Sequence, residues 1–148
     1  MVSPPLPEES PRAVARLSAL CERLLTDLGP EVFERDDDGV GFVLTPPEGA
    51  CPVYLLAWGD ALILGFGAGG CRWELERSDA DLDLVEEVVG AAVQGRVREV
   101  FGPSRSEVTL WFADGTEHRT AQADALSGCL PVPRWRSRPD RLREYAPY

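Results

Sequence analysis

The chain has 148 residues, 44% of them hydrophobic and 27% charged, with a formal net charge of −10. That length suits one domain able to bury a core, and the acidic balance argues against nonspecific nucleic-acid binding, because phosphates are repelled. It favours solubility and steered association with a basic partner. All 15 basic residues are arginine, which with abundant Ala, Gly and Pro reads as the coding bias of a GC-rich, bacterial genome. The first residues lack the basic and apolar regions of a signal peptide, so a cytoplasmic location is expected.

Residues 1–9 are Pro-rich and acidic and read as a flexible N-terminal arm. Ser10 and Pro11 then form a helix start, with the proline at N1. Val14, Leu17, Cys21, Leu24 and Leu28 make an apolar stripe, and Gly29-Pro30 ends the helix. Residues 31–35 and 40–45 are strand candidates joined by Asp36, Asp37, Asp38 and Gly39. An EF-hand would need spaced ligands and a glutamate at position twelve, where Pro47 stands, so the acidic run is read as a hairpin turn.

The stretch 52–95 organises the chain. Val53–Trp58 and Ala61–Phe66 are apolar without alternation, which suits two strands covered on both faces. Asp60 and the surrounding glycines argue against a membrane span and for a hairpin. In 71–76, Cys71, Trp73 and Leu75 alternate with Arg72, Glu74 and Glu76, the period of a half-exposed strand. A helix follows at once. Ser78 is its N-cap, Asp81 stands where a capping-box acid would, and Asp79 and Asp83 favour its N-terminus. Leu82, Val85, Val89 and Ala92 form its inward stripe, and Gly95 closes it.

Strands are expected over 96–101, 107–112 and 116–120, the last two joined at Asp114-Gly115. The order α-β5-α-β3 predicts an α+β fold, a single domain with a largely antiparallel sheet and two main helices packed on it. That domain covers 10–129. Residues 130–148 carry a net +3 against −13 for the rest, with Trp135, Tyr145 and Tyr148 among four prolines. They read as a Pro/Arg/aromatic C-terminal strap on the acidic body. A basic, aromatic nucleic-acid arm is the competing reading, which the adjacent body disfavours.

Motifs for chemistry fail on context. Gly65, Gly67 and Gly70 match G-x-G-x-x-G, but a strand follows where a dinucleotide site needs a helix. His118 is the sole histidine and sits in an edge-like strand. Cys21, Cys51, Cys71 and Cys129 show no CxxC spacing and read as small buried hydrophobes. Glu74 and Glu76 share a strand face about 7 Å apart, a pair that solvated faces carry routinely. The sequence thus indicates no catalytic residue, cofactor or metal.

What remains is a surface. Between Glu74 and Glu87 lie seven acids against one base, Arg77. In size, charge and mixed architecture the chain resembles the immunity proteins of bacterial toxin systems, which mask the site of a cationic nuclease or other toxin. The resemblance implies a non-enzymatic protein-binding module with a basic protein partner, no nucleic acid and no membrane. Glu74, Glu76, Asp81, Asp83, Glu86 and Glu87 would carry the binding, with Trp73 in the core. The alternative is a small-molecule sensor with an aromatic pocket between sheet and helix, drawing on Trp58, Phe66, Trp73 or Trp111. Strand order, oligomeric state and partner identity are not legible.

Overall fold

The computed structural model describes residues 11–102, 105–123 and 142–148. The arm at 1–9, the Ser10 cap, Cys129 and the strap as far as residue 141 lie outside the described residues.

Helix α1 spans Pro11–Leu28 and buries Ala13, Leu17, Leu20, Cys21 and Leu24. The inward stripe is rotated slightly from the expected one, with Val14 and Leu28 only half-buried. Gly29, at φ +83°, takes the left-handed conformation that ends such helices. Strands β1 (Phe33–Arg35), β2 (Phe42–Leu44), β3 (Val53–Trp58), β4 (Ala61–Phe66) and β5 (Cys71–Leu75) follow. Helix α2 (Asp79–Val93) leads to β6 (Val97–Gly102), β7 (Arg105–Trp111), β8 (Glu117–Ala123) and β9 (Leu142–Glu144).

The fold is α+β and antiparallel, with two helices among the described residues, but its strands form two sheets. One has the order β1-β2-β3-β4-β5; the other has the order β8-β7-β6-β9. The ninth strand was not expected. It pairs with β6 from within the predicted strap, Glu99 opposite Arg143. No helix among the described residues is long and apolar enough to cross a membrane.

Register fixes which face of the five-stranded sheet is buried. Phe42, Leu55, Leu64 and Trp73 form one cross-strand row; Leu44, Val53, Phe66 and Cys71 form another. These residues join Leu82, Val85, Val88, Val89 and Ala92 of α2 and Val97, Val108 and Leu110 of the second sheet in one core. The Ser78 hydroxyl accepts the Asp81 amide, as expected of an N-cap. The Asp81 carboxylate accepts the amide of Glu76, two residues before the cap, so it fixes the strand-to-helix junction.

The outer face departs from expectation. Both hydrophobic strands were expected to be covered on both sides, yet Leu56 is 38% and Trp58 is 75% exposed. Neither helix crosses that face, because both pack on the side of Leu55 and Leu64.

A buried polar cluster joins the two sheets. The β4–β5 turn at Gly67–Gly70 points the amides of Ala68 and Gly69 at the carboxylate of Glu99 on β6, at 3.0 and 2.9 Å. Tyr145 donates its hydroxyl to the same carboxylate at 2.6 Å and accepts from the Ala68 amide at 2.9 Å. Glu99 is fully buried, so these charge-assisted bonds replace its hydration. Gly67 has φ +81°, and a Cβ there would stand 2.7 Å from Glu99 Oε1; a Cβ on Gly69 would strike Ser106 Oγ and Glu99 Oε2.

Gly69→Ala is therefore expected to destabilise the fold by about 3 kcal/mol through overpacking. Tyr145→Phe should cost about 1–3 kcal/mol by leaving Glu99 short of a donor. Gly90 is the contrasting case: it lies inside α2, and a Cβ there would meet nothing within 4 Å. Gly90→Ala should raise stability by about 0.5–1 kcal/mol. Urea unfolding followed by tryptophan fluorescence measures all three.

Candidate functional site

The six acids singled out in the sequence divide into two sets. On α2, Asp83 is held at 2.7 Å and Glu86 at 3.4 Å by the guanidinium of Arg16. Asp79 is shared by Arg16 at 3.5 Å and Arg12 at 3.3 Å. The hydrogen bond to Asp83 is the first cause that raises the Arg16 pKa above its ordinary value. Both arginines lie on α1. Asp81 is engaged at the helix start. Glu87 is half-buried on α2 and has no ion pair with the described residues.

Glu74 and Glu76 lie elsewhere. They project from the end of the five-stranded sheet, on the side away from α2, and both are exposed. With Asp60 at the β3–β4 turn, Ala61 and Leu75, they line an open groove of about 530 Å³. The three carboxylates have no ion pair with the described residues. Asp60 was noticed in the sequence only as a charge interrupting a hydrophobic run. Its pairing with this acidic edge depends on the hairpin register, in which Trp58 stands opposite Ala61 and Ile63 opposite Glu74. Arg77 anchors the turn by donating to the Gly59 carbonyl at 3.0 Å.

The aromatic residues named for a small-molecule pocket are not gathered at one place. Phe66 and Trp73 pack edge to face at 4.9 Å in the core, and the Trp73 indole donates to Thr120. Trp58 stands exposed on the outer face. Trp111 lies beneath the guanidinium of Arg98 and donates to Glu117. A second groove, of about 360 Å³, is lined by Glu107, Arg119, Thr120 and Ala121.

The remaining candidates have structural partners. His118 stacks on Phe112 at 4.4 Å. Asp38 accepts the amides of Val40 and Gly41 and so closes the β1–β2 turn. No group of side chains among the described residues is arranged to hold a metal ion. Cys21, Cys51 and Cys71 are free and buried. The glycine turn that matches a dinucleotide fingerprint does receive an anion, but the anion is the chain's own Glu99. Comparison with family models, curated proteins and solved structures finds no match.

Burial pushes the Cys51 thiol from 9.0 up to about 12, and it also raises Cys21 and Cys71. Tyr145 is raised by burial and by its bond to Glu99, and Tyr148 by burial. The fold favours the protonated form of each group. The stabilisation from Cys51 is complete below pH 9.0 and is lost as pH rises toward about 12. The urea midpoint is expected to fall across that window. At neutral pH, iodoacetamide should modify Cys21, Cys51 and Cys71 only on unfolding, as read by peptide mass mapping.

Proposed function

We propose that this chain is a non-enzymatic, acidic protein-binding module that docks on a basic protein and masks it, as an immunity protein masks a cationic toxin. The observation that carries this reading is the open groove where Asp60, Glu74 and Glu76 stand without ion pairs to the described residues. The acids of α2 contribute less. Arg12 and Arg16 already neutralise Asp79, Asp83 and Glu86, and Asp81 is committed to the helix start. Within the acidic set, Glu74 and Glu76 therefore carry the recognition, with Asp60 added and Glu87 peripheral.

A net charge of −10 supplies the long-range attraction. Such a field accelerates encounter with a cationic cleft and discriminates against acidic partners, while close packing sets the lifetime of the complex. In a nuclease the carboxylates would occupy positions otherwise taken by phosphates.

The test is affinity capture from the source organism at moderate salt, comparing the native chain with Glu74→Lys/Glu76→Lys. The native chain should recover a basic protein in equal proportion, released as salt rises. With the purified pair, the variant should associate about tenfold more slowly at low salt. Equal association of the two forms, or recovery of no basic protein, would overturn the reading.

A further inference from the structure

The inner rows of β3 and β4 account for the core, but the same strands are apolar on the outside as well. Across the outer face, register sets Tyr54 beside Val43 and Gly65, Leu56 beside Ile63, and Trp58 beside Ala61. Trp58 is 75% exposed and Leu56 38%, while Tyr54, Val43 and Ile63 are half-exposed. The platform is held firmly. The Tyr54 ring lies over Gly65 so closely that a Cβ there would collide with it, and Arg77 ties down the turn beside Trp58.

Carboxylates ring this platform. Asp60 lies in the turn after Trp58, Glu74 stands opposite Ile63, Glu76 follows on the same side, and Glu34 projects at the far corner. Arg72 stands opposite Gly65, and Arg77 reaches the turn at the platform's edge. An apolar centre within a charged rim is the anatomy of a protein interface, and tryptophan is enriched among the residues that dominate binding energy.

We propose that the outer face of the five-stranded sheet is the docking surface for a basic protein, whose apolar pocket, rimmed by Lys or Arg, receives the Trp58 indole. The proposal rests on the basic-partner reading above and adds the surface and its anchor. Charge decides between occupants. A second copy in a two-fold pair would set acidic rim against acidic rim, and an anionic membrane would be repelled in the same way.

The test places a photo-crosslinking residue at position 56 of the full chain, in cells of the source organism. The expected product is one adduct with a basic protein, lost in Glu74→Lys/Glu76→Lys. With that protein purified, Trp58→Ala should weaken binding about thirtyfold, mainly through faster dissociation. Its urea midpoint should stay unchanged, because the side chain lies outside the core. No adduct, an adduct only with a second copy, or Trp58-dependent binding to phosphatidylglycerol vesicles overturns the docking surface. Full-strength binding by Trp58→Ala, with charge reversal still slowing association, removes this surface and leaves the acidic-module reading standing. A partner indifferent to both changes removes both.

Discussion

A buried carboxylate is tolerable only where donors replace the water it gave up. Glu99 has three: the amides of Ala68 and Gly69 and the phenol of Tyr145. They come from distant parts of the chain, namely the β4–β5 turn of one sheet and the segment that supplies β9 to the other. Removal of any donor would leave part of a charge unpaired in a low-dielectric interior, a larger cost than the net gain of an ordinary hydrogen bond. The cluster therefore constrains both sheets together. It also explains the glycines: the turn must approach Glu99 and Ser106 more closely than a side chain permits.

The segment carrying Tyr145 is fastened along its length. β9 pairs with β6, the Ala146 amide donates to the Gly49 carbonyl at 2.8 Å, and the Tyr148 amide donates to the Val93 carbonyl at 2.9 Å. The Tyr148 hydroxyl also donates to the Cys51 carbonyl. Pro147 lies against Gly95, where the left-handed backbone ending α2 leaves room for it. One short stretch thus closes the end of a helix, the edge of a sheet and the polar cluster.

Much of this was legible in local pattern. Hydrophobic spacing located both helices, the turn residues marked the hairpins, and Ser78 marked the start of α2. The features that escaped depend on partners remote in sequence. Leu142, Arg143 and Glu144 have no apolar alternation, so β9 is defined only by its pairing with β6. The alternation of Val97, Arg98 and Glu99 did place Glu99 inward beside Val97, a signal of a buried acid that was overlooked. Counting acids from 74 to 87 gave a patch, but the count could not show Arg16 reaching across from α1 to Asp79, Asp83 and Glu86. The unbroken apolar run of β3 was assigned to two-sided burial, since pattern registers apolarity without distinguishing a core from an exposed platform.

The position of Tyr145 has a consequence for biosynthesis. Glu99 emerges from the ribosome well before the phenol that completes its shell, with the β7–β8 hairpin made in between. During that interval the five-stranded sheet and α2 can associate through local contacts, while the carboxylate must remain hydrated and the second sheet lacks β9. The donor set of Glu99 can therefore be completed only after the segment carrying Tyr145 has been made.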